Sequence, residues 1–261
     1  MATSNVVILL IGLHGSGKST FTKAVTGADV EVSRCNGVTE TTRICKPYET
    51  KYRGTKFTII DTPGLADKVT QEENLAILNQ IASQLSSMGQ VHVSGVIYFH
   101  DIQKLRLRGV DRANLRILRA ICGRPFSPHV ALLTTCWNCI NLDDPKYATQ
   151  YGTILHDLEM ERDKYLPNGP RTFKFDLDDD IPHKQVLDHF VKQVKSAAPS
   201  PLPELLFAEE LKKYGYQHKN KKSMRAVKKT EAGIRIATEA SKELDLGLGF
   251  VASFWRLVSG Y

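Results

Sequence analysis

The octapeptide GLHGSGKS, residues 12–19, fits the pattern G-x-x-x-x-G-K-[ST] and follows directly after the apolar run at residues 6–11. Glycines let the backbone curl so that successive N–H groups point inward, the arrangement that holds phosphate oxygens. The apolar run has the length of a buried strand, and residues 19–26 continue as a predicted helix. The pattern therefore stands between a strand and a helix, as a phosphate-binding loop must.

Each side chain and amide of this loop has a predicted task. Lys18 would contact the β- and γ-phosphates as a point charge, and Ser19 would offer its hydroxyl to Mg²⁺. The helix that follows would turn the positive end of its dipole toward the anion. The predicted nucleotide-binding residues of the loop are His14, Gly15, Ser16, Gly17, Lys18, Ser19 and Thr20.

Strand and helix patterns alternate along the chain as far as residue 195. An early hairpin is predicted, with strands at 43–50 and 55–60 and a turn at 51–54. Further strands are predicted at 95–99, 130–134 and 172–175, and helices at 71–88, 112–122, 145–165 and 183–194. This order predicts an α/β fold, a doubly wound and mostly parallel six-stranded sheet with one antiparallel edge strand.

The hairpin ends in Asp61-Thr62-Pro63-Gly64. As an isolated string this is a turn, but next to a phosphate loop the carboxylate is placed to hold Mg²⁺, and the Gly64 N–H to contact the γ-phosphate. A hydroxyl from the loop before the hairpin would complete the metal shell, and we favour Thr42 over Thr39 and Thr41. The predicted metal ligands are Ser19, Thr42 and Asp61, and the predicted catalytic residues are Lys18, Thr42 and Gly64.

These motifs, in this order, resemble the translation-factor-related class of P-loop GTPases over residues 5–195, above all the septin, chloroplast-import-receptor and immunity-associated group. Residues 95–100, 115–122 and 134–137 are also similar to uncharacterised fungal G-domain proteins. The resemblance implies a G domain at 1–195 that binds GTP or GDP with Mg²⁺. It also implies slow hydrolysis that is helped by a partner, or by two G domains pairing across the nucleotide.

The chain departs from this family where guanine is recognised. The family motif N/T-K-x-D corresponds here to Thr135-Cys136-Trp137-Asn138, so Thr135 and Asn138 are the predicted base-side residues. An amide offers one acceptor and one donor where a carboxylate offers two acceptors, so one bond to guanine would be lost. Asp143 or Asp144 could substitute only at a different spacing. The family's S-A-K segment is also missing, and residues 175–178 read FDLD.

A second departure concerns hydrolysis. Leu65 stands where many small GTPases have a water-orienting glutamine. Arg43, His14 or His100 could contribute from a dimer face, although we favour the interpretation of each as an ordinary surface or loop residue. A non-catalytic nucleotide-binding scaffold that acts through oligomerisation is therefore an alternative. An ATP-using kinase is disfavoured, because it needs a lid and an acceptor site rather than a hairpin ending in D-T-P-G.

The positive charge of the chain is concentrated in a segment that follows a predicted linker at 196–203. The net charge is +7, and residues 211–230 carry eight Lys or Arg and no acid. We expect a basic and helical extension at 204–261, with the lysine run as a mobile linker. The apolar stretch formed by Phe250, Val251, Phe254, Trp255 and Val258 could dock onto the G domain, which we favour, or pair with another copy. Together with the lysine run it could instead form a peripheral membrane contact. A nucleic-acid role is not favoured. No export signal is evident, so we expect a cytoplasmic protein whose five cysteines, including Cys136 and Cys139 in a C-x-x-C, are thiols.

Overall fold

Six strands of the described chain form one sheet in the order β2-β3-β1-β4-β5-β6. The computed structural model describes residues 5–32, 42, 44–65, 71–89, 92–104, 107–140, 145–169, 172–176, 181–197, 202–217 and 223–242. The strands are β1 Asn5–Gly12, β2 Lys46–Tyr52, β3 Thr55–Asp61, β4 Gly95–Asp101, β5 Val130–Thr135 and β6 Thr172–Lys174. Only β2 and β3 pair antiparallel among these strands. The predicted fold class is therefore confirmed.

Helices cover both faces of this sheet. They are α1 Lys18–Thr26, α2 Gln71–Ser87, α3 Gly109–Cys122, α4 Pro145–Tyr165 and α5 Ile181–Ala197. Successive side chains of β1 alternate between the two layers, because side chains of a strand point to opposite faces. Val6, Ile8 and Leu10 pack with residues of α1 and α5, whereas Val7, Leu9 and Ile11 pack with residues of α2 and α3. Burial on both faces explains why β1 is a continuous apolar run.

The predicted boundaries of the hairpin and the linker differ from the structure. Strand β2 continues through Tyr52, so the turn is only Arg53-Gly54, with φ values of 46° and 76°. A two-residue turn with both φ values positive matches the twist of the strands it joins. Helix α5 continues to Ala197, so Ser196 and Ala197 are helical rather than linker, and residues 198–201 lie outside the described residues.

The segment after residue 201 packs on the α2–α3 side of the sheet. It forms α6 Leu206–Lys213, α7 Ser223–Lys229 and a further helix at 231–242, here called α8. The expected mobile linker is instead helical over 223–229, because Ala226 and Val227 are buried while the neighbouring cations are exposed. The apolar side chains of these helices join the core formed with α2 and α3. They include Phe207, Leu211, Val227, Ala232 and Ile236.

An ion pair ties α8 to α3. Arg116 on α3 donates Nε and Nη2 to the Glu239 carboxylate at 2.9 and 2.5 Å. Glu239 is buried, and Lys242 donates to it at 3.2 Å. Burial alone would raise the pKa of Glu239, but the hydrogen bonds from Arg116 and Lys242 outweigh it and hold the pKa below its usual value. The carboxylate is thus charged and paired at the interface of the extension.

The apolar C-terminal stretch that includes Phe250, Phe254 and Trp255 lies outside the described residues, as do Lys219, Lys221 and Lys222. The membrane contact predicted for the extension remains a prediction. In the described part of the chain, no helix is both long and apolar enough to cross a bilayer.

Candidate nucleotide site

The loop between β1 and α1 leaves a row of backbone amides without helical partners. Gly15 and Gly17 have φ values of 71° and 86°, a left-handed conformation that glycine adopts without strain. Gly17 is the N-cap of α1 and has no side chain with which to cap the helix. The first-turn N–H groups at residues 18–20 have no acceptor within the helix, so this end of α1 is suited to bind an anion.

Lys18 lies buried inside the same loop. Its Nζ donates to the carbonyl oxygens of Gly12 at 3.2 Å and Leu13 at 2.9 Å. The residue is only 5% exposed, so its charge is held inside the loop rather than in solvent. A Cβ at Gly12 would lie 2.7 Å from Ser16 Oγ and 2.8 Å from Phe99 O, so only glycine fits there. The loop therefore concentrates positive charge around the start of α1.

Three side-chain oxygens meet beside the loop. Ser19 Oγ donates to Asp61 Oδ2 at 2.8 Å and lies 2.8 Å from Thr42 Oγ1, which is 3.5 Å from the same carboxylate oxygen. We call these residues the Ser19–Thr42–Asp61 cluster. They come from α1, the connection before β2 and the end of β3, three places that only the fold brings together. Thr39, Thr41 and Arg43 lie outside the described residues.

The carboxylate of this cluster is poorly compensated. Asp61 is 1% exposed, and its Oδ1 has no hydrogen-bond partner among the described residues. Burial raises the pKa of Asp61, although the Ser19 hydrogen bond and the Lys18 charge act in the opposite direction. A buried carboxylate whose ionised form is disfavoured gains from a bound cation.

The donor set fits Mg²⁺. This ion prefers oxygen ligands and is usually held by one or two carboxylates together with substrate phosphates. The cluster offers one carboxylate and two hydroxyls next to the predicted phosphate site. Across the described ranges, no group of three or more His, Cys, Asp or Glu side chains could hold a metal. The arrangement suits a metal that shares its ligands with a nucleotide rather than an all-protein cage.

The D-T-P-G segment runs on alongside the phosphate loop. Leu65 N donates to Gly12 O at 2.9 Å, and His14 N donates to Leu65 O at 3.1 Å. A Cβ on Gly64 would overlap the backbone of His14, so this close approach requires glycine. Leu65 itself is 2% exposed and packs in the core. The position that carries glutamine in many small GTPases is therefore turned away from solvent, and its backbone holds the two segments together.

The prediction that His100 could act from a dimer face is wrong. His100 lies at the end of β4 and is 2% exposed. Burial lowers the pKa of this imidazole, while the charge of Asp111 on α3 partly raises it. Helix α3 begins at Gly109, three residues earlier than predicted. Its first turn therefore contributes to the burial of His100 at the end of β4. His14, by contrast, is half-buried within the loop itself.

The predicted base-side residues follow β5. Thr135 Oγ1 donates to Ser16 O at 3.0 Å, so the end of β5 touches the phosphate loop. Asn138 is exposed in a 3-10 turn at Trp137–Cys139, while Asp143 and Asp144 lie outside the described residues.

The described cysteines are free, and burial, with the charge of Asp101, raises the pKa of Cys136 to about 12. A neutral thiol gives no support to redox chemistry at the C-x-x-C.

Comparison with known proteins gives the domain its class. Residues 7–126 match the family model described as 50S ribosome-binding GTPase. The chain has the fold of the P-loop GTPases, and residues 7–126 are similar in sequence to this family. The matched residues include the phosphate loop, the D-T-P-G segment and β4, and stop before β5. No curated protein matches the sequence.

Solved structures share the fold of this G domain at low identity. Toc33 from Arabidopsis thaliana in complex with Mg²⁺ and GMPPNP matches with a TM-score of 0.54 and 16% identity, covering 72% of this chain and 85% of that chain. A dimerisation-deficient mutant of Toc33 gives 0.53 and 15%, covering 74% and 86%. A structure of the translocon components atToc33 and psToc159, whose description says that dimerisation is important for GTPase activity, gives 0.51 and 15%, covering 76% and 84%.

Two features of the G domain were not predicted from the sequence. Leu65 pairs with Leu13 through backbone groups, which no side-chain pattern reveals. Lys174 on β6 places its Nζ 4.9 Å from the centre of the Trp137 ring and pairs with Asp176 at 3.1 Å. Trp137 and Lys174 are more than thirty positions apart along the chain. The parallel register of β5 and β6, which pairs Thr134 with Lys174, brings them together.

Proposed function

We propose that this G domain binds GTP with Mg²⁺, hydrolyses it slowly, and acts as a switch in assembly or partner binding. The observation that carries the proposal is the Ser19–Thr42–Asp61 cluster at the start of α1. Its three oxygens lie within 3.5 Å of one another, next to a lysine and a row of helix amides. Those groups match what a magnesium-bound triphosphate requires.

Each residue has a distinct role in this proposal. Lys18 and the amides of α1 bind the phosphates, while Ser19, Thr42 and Asp61 hold the metal directly or through water. Bound Mg²⁺ neutralises charge on the β- and γ-phosphates. Thr42 is the one member from a connecting segment rather than a helix or strand. Loss of its contact after hydrolysis would release that segment, which is the basis of a switch.

Slow hydrolysis follows from the environment of Leu65. Its side chain is buried in the core and has no group that could orient a water molecule. We favour a second G domain as the source of the group that orients the attacking water molecule. The structure of atToc33 and psToc159 supports this view, because dimerisation is described there as important for GTPase activity. A non-catalytic scaffold that binds nucleotide is the second candidate, and the buried Leu65 favours it equally.

Single-turnover phosphate release separates the two candidates. Purified full-length chain would be mixed with Mg²⁺ and less than one equivalent of GTP at several protein concentrations. We expect first-order release over minutes to hours, with a rate that rises with protein concentration. The Lys18→Met variant controls for contaminating enzymes, because it removes the charge that binds the phosphates. Nucleotide binding without any release at high protein concentration would favour the scaffold.

A further inference from the structure

A cavity of about 410 Å³ lies where the C-terminal extension packs on the G domain. Ala82 and Leu85 of α2 form one wall, and the opposite wall, at the start and along α6, is formed by Leu205, Ala208 and Leu211. Pockets that hold a bound ligand have volumes of about 300–1,000 Å³. The cavity is therefore large enough for a segment of chain, and these walls are apolar.

The cavity is distinct from the nucleotide site. Val93 lines it, and the next residue, Ser94, donates its N–H group to Val7 O at 2.7 Å, near the start of β1. The phosphate loop begins at Gly12, five residues further along β1, which corresponds to roughly 16 Å of strand. The cavity thus lies at the opposite edge of the sheet from the phosphate loop.

Polar side chains surround the mouth of the cavity. Lys212 donates from Nζ to Glu204 Oε1 at 2.6 Å, and both residues line the cavity together with the exposed Ser86. Tyr216 also lines it and donates its hydroxyl group to Asn79 O at 3.4 Å. An apolar centre with a polar rim is typical of a surface that binds protein.

The occupant that fits this cavity is a stretch after α8, FVASFWRLV at residues 250–258, which we call the terminal apolar segment. It lies outside the described residues, and its sequence predicts an amphipathic helix, because large apolar side chains recur at spacings of three and four. These side chains belong to Phe250, Val251, Phe254, Trp255 and Val258. Gly247 and Gly249 precede the segment, and glycines commonly separate one helix from the next. An apolar face of this size is rarely left in solvent.

The end of α8 lies within reach of the cavity. Glu239 of α8 accepts hydrogen bonds from Arg116 of α3, and a Cβ on Gly123, directly after α3, would lie 2.8 Å from Leu206 Cβ of α6. These two contacts with α3 are seven residues apart, or about 10 Å along the helix axis. Residues 243–249 separate α8 from the terminal apolar segment and can extend to about 25 Å. The segment can therefore reach the cavity without a change in the described helices.

We propose that the terminal apolar segment docks in this cavity of its own chain, and that Trp255 is among the side chains that enter it. A buried aromatic side chain removes about 150–250 Å² of surface from water, which favours docking over exposure. The short linker at 243–249 keeps the segment at an effective concentration in the millimolar range, which favours docking within one chain over pairing of two copies. The docked segment joins the extension to the G domain at the sheet edge opposite the nucleotide, and this inference does not depend on nucleotide binding.

Tryptophan fluorescence tests the proposal, because the tryptophans of the chain are Trp137 and Trp255. In a full-length Trp137→Phe chain, Trp255 is the one emitting indole. We expect its emission to be shifted to the blue relative to the same chain unfolded in guanidinium chloride, and to be quenched less by acrylamide. The measurement is made without nucleotide, and the shift should be the same at all protein concentrations.

Two pairs of variants in that background locate the docked segment. Ser86→Phe and Ala208→Phe place a ring in the cavity, and each should lose most of the blue shift. Ser87→Phe and Glu209→Phe add the same side chain at the neighbouring exposed positions, outside the cavity, and should keep the shift. Because Ser86 is exposed, Ser86→Phe keeps the test valid if Ala208→Phe does not fold.

Each of the other outcomes overturns the proposal. Emission like that of the unfolded chain means that the segment is not docked. A blue shift that grows with protein concentration assigns the segment to a second copy of the chain. One that appears only with vesicles of phosphatidylcholine and phosphatidylserine assigns it to a lipid surface. A blue shift that persists in both cavity variants places the segment on another face of the same chain.

Discussion

The two ends of the nucleotide site are built from different kinds of group. At the phosphate end, residues 12–19, 42 and 61–65, the groups available are largely backbone amides, one lysine and the Ser19–Thr42–Asp61 cluster. At the base end, residues 135–138 and 174–176, they are side chains on two strands joined by aromatic and ionic contacts. Backbone groups survive many substitutions, whereas a side-chain contact changes with a single residue. The phosphate end therefore keeps the family pattern, and the base end departs from it.

The largest effect should come from Lys18→Met. The buried ammonium is the one side-chain charge held within the loop, and charge-assisted hydrogen bonds are the strong ones. We expect the affinity for Mg²⁺-GTP to fall by about 100-fold, measured by calorimetric titration. Lys23→Met on the exposed side of the same helix is the matched control and should change affinity by less than about twofold. Equal losses in the two variants would mean that the site depends on net charge alone.

Asp61→Asn should remove the dependence on the metal. Because Asp61 is the one carboxylate of the Ser19–Thr42–Asp61 cluster, we expect GTP affinity to fall about 30-fold in the presence of Mg²⁺. Addition of EDTA should weaken binding to the wild-type chain and leave the variant unchanged. A variant that still responds to EDTA would place the metal on other residues.

The same variant tests the raised pKa of Asp61. A carboxyl whose pKa is higher in the folded than in the unfolded chain contributes stability at low pH and loses it as pH rises through the folded value. The nucleotide-free wild-type chain should therefore be less stable at pH 7 than Asp61→Asn. The difference should stay constant above the raised pKa and shrink as the pH falls from that pKa toward the ordinary value of an aspartate. Urea unfolding at a series of pH values, compared between the two chains, measures it.

The sequence predicts the phosphate end well because that end depends on local rules. Glycine spacing, a preceding apolar run and a carboxylate at the end of the next strand placed Ser19, Thr42 and Asp61 in one cluster. The prediction for His100 failed because the exposure of this residue depends on where α3 begins. The sequence periodicity placed the start of α3 three residues too late. The prediction of a mobile linker at residues 223–229 failed for a related reason. Its composition is basic, and only the apolar face of α2 and α3 explains why Ala226 and Val227 are buried.

Gly64→Ala should separate catalysis from binding at the phosphate end. The added methyl group would overlap the His14 backbone, so the D-T-P-G segment must move away from the loop. We expect single-turnover hydrolysis to fall about tenfold, whereas the affinity for GTP changes less, because Lys18 and the helix amides remain in place. Gly152→Ala on α4 is the control, since a methyl group there meets open space. Its rate should equal that of the wild-type chain.

The smallest effect is expected at the base end, from Trp137→Phe. The change removes the indole hydrogen bond to Thr134 and weakens the contact with Lys174, which together stabilise the turn by about 1 kcal/mol. A looser turn should lower GTP affinity about threefold and leave the affinity for inorganic tripolyphosphate unchanged, because that ligand has no base. Competition titrations with the two ligands measure both values. If both affinities fell together, the turn would support the phosphate loop through Thr135, and the two ends of the site would not be independent.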